Sequence, residues 1–295
     1  MSFELALGRY FKEVTTMNEL GIRMAFGAIA ASVMACSSSD TTPADSGAND
    51  AATDVAVADV VTSDADAGAP LQYMALIRGK LAGVTYADGG DAGAVDLSQA
   101  KAAHDQIAQG GESAAKTAGD IAHAVLLGTS ILDGTPNEFL AIDRWTDATA
   151  MKAFYANPQF QQAFASLFAA PPTIDFYVSA SGWVSWGDMH SGDTFTPHYM
   201  HLALGTLSST DPATNEAAHN QVASGGETPS MQAGNVAHVV WLGMDDAQKF
   251  NGVDIWKADD DIQAFYTNPQ FVTAFSSLFS SVSQPVYVST DWYQW

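Results

Sequence analysis

The sequence has few positive charges and almost no cysteine. Its 295 residues include 11 Lys and Arg against 33 Asp and Glu, which gives a formal net charge of −22 at pH 7. Proteins that bind nucleic acids use clustered cations to displace counterions from the phosphate backbone, so the composition argues against a nucleic-acid partner. The single Cys can form neither an intrachain disulfide nor a Cys-rich zinc site.

Several common catalytic motifs are also missing. The sequence has no Ser nucleophile elbow, no phosphate-binding P-loop and no Gly-rich dinucleotide turn in a suitable context. It does have 47% hydrophobic residues, in a chain long enough for one large domain or two small ones. The composition therefore predicts a folded core but names no substrate.

The N-terminal region is organised like an export signal. Arg23 precedes an apolar run at 24–35, which is shorter than the ~20 residues of a membrane-spanning helix. The run ends in Val-Met-Ala before Cys36, which resembles a bacterial lipobox, and Ser37 resembles the outer-membrane sorting pattern. The alternative is an ordinary buried thiol. The lipobox predicts a signal peptide at 1–36 and a lipid anchor at Cys36 that holds the protein on the bacterial cell envelope, at the outer membrane.

Residues 37–70 form a second compositional segment. They include seven Asp, no Lys or Arg and no aromatic residue. Such a stretch cannot bury enough apolar area to offset its chain entropy. We therefore predict a disordered acidic tether between the anchor and the folded part.

Everything after residue 70 is duplicated, which is visible within this one chain. The duplication predicts two structural units, one at 71–188 and one at 189–295. The matched segments include the Asn-Pro-Gln-Phe motif and the residues around four of the seven histidines, as follows: 102–108 with 217–223, 110–112 with 225–227, 121–123 with 236–238, 143–145 with 254–256, and 154–160 with 265–271.

Each copy has the same order of periodic patterns. A strand pattern at 72–82 is followed by a helical pattern at 98–109, and two strand patterns flank a turn. A second helical region is interrupted at Asn157-Pro158, and a Tyr- and Trp-rich strand closes the unit. The order β-α-β-β-α-β predicts an α+β fold of two tandem ferredoxin-like repeats. Strands such as 122–127 are apolar on both faces, so we expect the repeats to pack sheet to sheet.

This element order, with the motif Asn-Pro-x-Phe followed by Ala-Phe and Leu-Phe in the second helix, resembles the dimeric α/β-barrel superfamily. Antibiotic-biosynthesis-monooxygenase-like proteins are among its members. The resemblance covers both repeats, about three quarters of the chain. It implies a pseudo-dimer within one chain and a cofactor-independent oxygenase or related reaction. It carries over no catalytic residue, because the sequence has no catalytic motif of that family.

Two matched pairs of histidines and a matched aspartate are the candidate site residues. His123 and Asp143 are equidistant from residue 133 in the hairpin turn, which predicts a cross-strand pair on one sheet face. His104 lies on the apolar face of the first helix and is expected to join them. The same argument in the second copy places three residues together: His219, His238 and Asp254.

Three interpretations of these clusters stay open. The first is a buried polar network that fixes helix against sheet. The second is catalytic, with a histidine as general base oriented by the aspartate. The third is a metal site of two His and one carboxylate, although no tight metal-binding motif is present. We predict no metal and no cofactor.

The functional prediction is an envelope lipoprotein with a small-molecule pocket in each repeat, acting as a monooxygenase-like enzyme on a small, flat substrate with an acidic carbon. The alternative is a non-catalytic protein that binds a small hydrophobic or aromatic ligand or has a structural role. The Trp and Tyr residues of the terminal strands are predicted to pack in the core or to line that pocket. Three histidines without counterparts are expected to have a linker or strand-start role: His190, His198 and His201.

Overall fold

The computed structural model describes residues 70–84, 96–187, 189 and 198–295. The predicted signal peptide, the anchor at Cys36 and the acidic tether up to residue 69 lie outside the described residues, as does His190. The described residues form nine strands and six helices, which are β1 (Tyr73–Lys80), α1 (Ser98–Thr117), β2 (Asp120–Leu132), β3 (Glu138–Trp145), α2 (Ala148–Ala156), α3 (Pro158–Ala165), β4 (Thr173–Ser179), β5 (Tyr199–Leu207), α4 (Pro212–Gln232), β6 (Asn235–Gly243), β7 (Lys249–Trp256), α5 (Asp259–Tyr266), α6 (Pro269–Ser276), β8 (Phe279–Ser283) and β9 (Pro285–Ser289).

Eight of the strands close into an antiparallel barrel. Hydrogen-bonded neighbours follow the order β7-β6-β4-β1-β3-β2-β9-β5, and β5 also pairs with β7. Strand β8 lies outside this ring and pairs with β5. The two halves of the chain are joined at both seams, because β4 pairs with β6 and β2 pairs with β9.

The interior of the barrel is apolar and receives residues from both halves. This explains why the strands are apolar on both faces: one face points into the barrel and the other is covered by helices. Without the other half, each half would expose the apolar side chains of this sheet face to water. Barrel closure buries them, which is favourable. The interior core includes Met74, Leu76, Leu126, Leu140, Ile142, Met200, Leu202, Trp241, Val253 and Ile255.

The helices cover the outer face of the barrel. In the second half, apolar residues of α4 and α6 pack on Val240 and Phe250 of the barrel wall. The predicted break in the second helical region is confirmed, since Asn157 caps α3 by accepting the amide N–H of Gln159 at 2.9 Å. Among the described residues, no helix is long and apolar enough to cross a membrane.

The first helix of each half is longer than the sequence pattern predicts. Gly110 and Gly111 resemble a helix end, yet α1 continues to Thr117. The residues that follow include good helix formers such as alanine, and Lys116 pairs with Glu112, one turn earlier, at 2.7 Å. The chain leaves the helix at Gly119, whose φ of +105° suits glycine.

Candidate functional site

The first site is built on the hairpin of β2 and β3. His123 and Asp143 are directly opposite each other in the strand pairing, and His123 Nδ1 lies 2.5 Å from Asp143 Oδ1. Both side chains are buried. The cross-strand pair predicted from the hairpin symmetry is therefore confirmed.

Helix α1 brings a second imidazole to this pair. His104 is buried to 2% exposure, and its Nε2 lies 3.2 Å from Nε2 of His123. The two rings are nearly parallel, with an angle of 11° between their planes. His104 Nδ1 in turn lies 3.1 Å from Oδ1 of Asp105 on the same helix. The predicted cluster of two histidines and one aspartate is thus present in the first half.

A tyrosine completes the set and is absent from the sequence prediction. Tyr155, near the end of α2, donates its hydroxyl proton to Oδ2 of Asp143. It is 3% exposed. The usable sequence signal was its duplication, because Tyr155 and Tyr266 both stand two residues before the matched Asn-Pro motif.

The second half repeats this arrangement. His238 Nδ1 lies 2.7 Å from Asp254 Oδ1, and His219 Nε2 lies 3.2 Å from His238 Nε2. The hydroxyl of Tyr266 donates to Asp254 Oδ2 at 2.7 Å. The same four-residue set, Tyr-Asp-His-His, is therefore assembled twice.

One histidine is present only in the second site. His201 on β5 is fully buried, and its Nδ1 lies 3.2 Å from Oδ2 of Asp254. Its ring stacks on Tyr266 with centroids 3.7 Å apart. His201 lies near the start of β5, as expected. Its contact with Asp254 was not predicted from the sequence, and it follows because the pairing of β5 with β7 places the two residues opposite each other. Ala75 occupies the corresponding position opposite Asp143 in the first half.

The C-terminal segment of each half crosses to the site of the other half. Trp295 exchanges backbone hydrogen bonds with His123 at 2.8 and 3.2 Å, and Trp186 does so with His238 at 3.0 and 2.8 Å. The indole of Trp295 lies over the His123 ring with centroids 4.5 Å apart. Each site is thus closed by a tryptophan from the opposite half. Tyr177 and Tyr287 instead pack in the barrel core, so both roles predicted for the terminal aromatic residues occur.

The sites also differ at the first residue of β2 and β6. In the first half this residue is Asp120, which is 4% exposed. Its counterpart in the second half is Asn235. Burial, together with the negative charge of Asp143, raises the pKa of Asp120 to about 8. Asn235 instead accepts the indole N–H of Trp186 at 2.8 Å. The first site therefore contains an extra carboxyl group that keeps its proton at neutral pH.

Burial and neighbouring charges together shift the pKa values of the other groups. It lowers the pKa of His104 and of His219 to about 4, with a further contribution from the neighbouring histidine in each case. Burial alone would raise the pKa of Asp254, but His238 and His201 outweigh it and hold that pKa below the usual range. Burial and the adjacent aspartate raise the pKa of Tyr266, so its hydroxyl remains a proton donor.

Each set lines a small cavity between the helices and the barrel. The cavity in the first half has a volume of about 40 Å³ and is bordered by His104, His123, Asp143 and Tyr155, with Asp120 and Trp295. The cavity in the second half has about 50 Å³. At roughly 10–15 Å³ for each water molecule, each cavity holds a few waters or a molecule of similar size. The small volume of each cavity also suits the interpretation as a polar network.

A larger cavity borders the barrel core. Its volume is about 440 Å³, within the range of ~300–1,000 Å³ usual for ligand pockets. The exposed surface of its lining is mainly apolar and includes Ile142, Met200 and Ile255. Six polar residues also line it: His123, Arg144, His198, Tyr199, Ser289 and Gln294. His123 and Trp295 border this cavity as well as the small one of the first half.

The metal interpretation finds no geometric support in the part of the chain that the structure describes. No group of three or more His, Cys, Asp or Glu there is arranged to hold a metal ion. The ring nitrogens explain this for the histidine pairs, because His123 directs Nδ1 at Asp143 and Nε2 at His104. Both nitrogens are therefore engaged in hydrogen bonds within the set.

Comparisons with protein-family models and with curated proteins found no match to this chain. Solved structures do match. A proposed monooxygenase from Fusobacterium nucleatum subsp. nucleatum is similar over 75% of this chain and 95% of its own, with 9% identity and a TM-score of 0.50. An anthrone oxidase-like protein is similar over 77% of this chain and 94% of its own, with 12% identity and a TM-score of 0.50. The chain has the dimeric α/β-barrel, ferredoxin-like fold, and the predicted resemblance is confirmed for the fold.

Proposed function

We propose that the chain is a monooxygenase-like enzyme that needs no cofactor and uses the His–Asp pair of each half as a general base. One observation carries the proposal: a buried Tyr-Asp-His-His set borders a cavity in both halves. The fold is shared with a proposed monooxygenase and an anthrone oxidase-like protein, which adds support by analogy only. The substrate class is a small, flat molecule with an acidic C–H bond.

The proposed reaction is the oxidation of a methylene group by dioxygen. The base removes a proton from the carbon acid, and the electron pair of the broken C–H bond remains on the substrate as a carbanion or enolate. The carbanion adds dioxygen, the peroxide takes up a proton, and loss of water leaves a ketone. The balance is R₂CH₂ + O₂ → R₂C=O + H₂O, with dioxygen as the oxidant. Asp143 and Tyr155 would orient the His123 ring, and burial would exclude bulk water.

Substrate access has a structural requirement under this proposal. The cavities of about 40 and 50 Å³ accommodate dioxygen but not a ring system. To enter one of these small cavities, a flat substrate therefore has to displace the indole that closes it, Trp295 in the first half and Trp186 in the second. An aromatic substrate could replace the stacking of that indole on the histidine ring.

The proposal is tested with anthrone, a flat carbon acid, and the full chain. We expect dioxygen uptake and anthraquinone formation above the rate in buffer alone. His123→Gln and His238→Gln should each leave one working site, whereas the double variant should lose about 10²-fold or more of the catalysed rate. Lys152→Ala is the control, because this exposed residue pairs with Asp245 and lines neither site cavity. Wild-type protein no faster than buffer, or a double variant as fast as wild type, would refute the proposal for anthrone.

The second candidate function is non-catalytic binding of a small hydrophobic or aromatic ligand. The cavity of about 440 Å³ favours it, because its size and apolar lining suit such a ligand without any movement of the tryptophans. In the anthrone experiment this function gives saturable binding without dioxygen uptake. Met200→Trp, which puts a larger side chain into that cavity and replaces none of the histidines, would then abolish binding.

We further propose that the barrel consists of two tandem ferredoxin-like repeats acting as a pseudo-dimer. The element order is the same in both halves apart from the division of the last strand into β8 and β9. The hairpin pairs His123 with Asp143 and, at the matched position, His238 with Asp254. Duplication of one unit accounts for both observations.

Attachment to the bacterial envelope through Cys36 is likewise a proposal, supported by the lipobox-like sequence. Expression of the full chain in a bacterial host with labelled palmitate should label the protein and place it in the membrane fraction. Cys36→Ala should abolish the label, whereas Ser38→Ala should not. Labelling that persists in Cys36→Ala would contradict the lipobox interpretation.

A further inference from the structure

We infer that the base in each half is a pair of imidazoles that hold one proton between their Nε2 atoms, with Asp105 and Asn220 as the residues that fix this arrangement. This inference deepens the proposed function and depends on it for its catalytic meaning. The proton positions follow from hydrogen-bond geometry, together with the ionisation of the facing carboxylates, since a ring nitrogen that faces a group which only accepts must carry a proton.

Asn220 fixes one end of the pair in the second half. Its Oδ1 accepts the backbone N–H of Val184 at 2.7 Å, and its Nδ2 donates to the carbonyl of Gly182 at 2.9 Å. These two contacts determine which atom of the amide is the oxygen. The same Oδ1 lies 3.2 Å from Nδ1 of His219. An amide oxygen only accepts, so Nδ1 of His219 carries a proton.

Asp254 fixes the other end. Its two oxygens accept from Tyr266 and face Nδ1 of both His201 and His238, and its pKa lies below the usual range. An ionised carboxylate only accepts, so Nδ1 of His238 carries a proton as well. A hydrogen bond between the Nε2 atoms at 3.2 Å then needs one further proton. The two rings together hold three protons and one positive charge.

The first half reaches the same result with a different residue. Asp105 replaces Asn220, and its Oδ1 faces Nδ1 of His104 at 3.1 Å. Its partial burial is outweighed by hydrogen bonds from Lys101 and from the backbone N–H of Tyr293, so its pKa lies below the usual range. Because Asp105 is ionised, it orients His104 as Asn220 orients His219. Two different side chains thus give the same proton order.

This order defines the chemistry of the pair. When the shared proton leaves, the lone pairs of the two Nε2 atoms face each other across about 3.2 Å. Because these lone pairs repel each other, the return of a proton is favoured. A second added proton is disfavoured, which agrees with the pKa of about 4 for His104 and His219. A substrate C–H proton would end as the shared N–H, with its electron pair left on the substrate.

The groups that face each pair determine its pH response. In the second half they are Asn220 on α4, Asp254 on β7, His201 on β5 and Tyr266 on α5. In the first half they are Asp105 and Lys101 on α1, Asp120 on β2, Asp143 on β3 and Tyr155 on α2. The deprotonated, base form of each pair grows as the pH rises, so the rate of proton removal should rise with pH. The second half is the simpler to test, because Asp254 is the only anion among its facing groups.

The experiment is ¹⁵N NMR of histidine ring nitrogens in the full chain at neutral pH. We expect protonated Nδ1 in all four paired histidines and, in each pair, two Nε2 atoms that share one proton. A non-protonated Nδ1 in His219 or His104 would overturn the inference. This result does not depend on turnover of anthrone, so failure of the proposed function and failure of this inference are distinguishable.

Variants at the fixing residue give a second readout. Asn220→Leu removes the acceptor, so we expect loss of the shared-proton signal in the second half only, with the first half as internal reference. Asn220→Asp should retain the signal, as Asp105 does in the first half. In a His123→Gln background, Asn220→Leu should lower the anthrone rate and shift its pH profile, and Asn220→Asp should restore both. An unchanged signal in a folded Asn220→Leu variant would contradict the assignment.

Discussion

Asp120→Asn is expected to stabilise the protein by about 3–5 kcal/mol at pH 8. The pKa of Asp120 is about 8 in the folded chain, against an ordinary value of 3.8. Between these two values the folded state keeps a proton that the unfolded state releases. Stability therefore falls as the pH rises from about 4 to about 8, and asparagine, which has no such proton, removes this loss.

Urea unfolding at pH 4, 6 and 8 checks this prediction. The gain from Asp120→Asn should be near zero at pH 4 and should grow toward pH 8. Asn235→Asp is the matched reverse variant, since Asn235 occupies the same position in the second half, and it should destabilise the protein most at pH 8. A gain that is the same at all three pH values would contradict the raised pKa of Asp120.

Asp254→Ala should destabilise the protein by about 3–5 kcal/mol. Asp254 is the shared acceptor of His238, His201 and Tyr266, so its removal leaves three buried donors without a partner and a positive charge without its counterion. Asp143→Ala should cost less, about 1–3 kcal/mol, since Asp143 accepts from two such donors rather than three.

Urea unfolding of both variants at pH 7 measures this difference. Asp254→Asn, which keeps the side-chain shape, separates the loss of charge from the loss of volume. Equal losses for Asp254→Ala and Asp143→Ala would show that the third donor, His201, contributes nothing to the stability of the second site.

The central His–Asp pairs of the sites could be predicted because, in a hairpin, residues equally far from the turn in sequence lie opposite each other. His123 and Asp143 flank one turn symmetrically, and strand register then places them opposite each other. Tyr155 and His201 were not found, since they reach the aspartates from a helix end and from a strand distant in sequence. Their positions depend on how helices and strands pack in three dimensions, which the local hydrophobic pattern of the sequence does not specify.

The element types could be predicted more fully than their ends and partners. The apolar pattern identified the strands, but closure of the barrel through β4 with β6 and β2 with β9 depends on pairing between distant segments. The glycines at 110–111 were misleading because favourable residues after them extend α1. The difference between Asp120 and Asn235 is readable in the aligned copies, but its effect on ionisation requires knowledge of burial.

The exchanged C-terminal segments constrain how this chain can change over time. Trp295 belongs to the second half but contacts His123, and Trp186 belongs to the first half but contacts His238. A substitution in either segment therefore alters the neighbourhood of the histidines encoded in the other copy. A change in one half can therefore alter the chemistry of the site in the other half as well as its own.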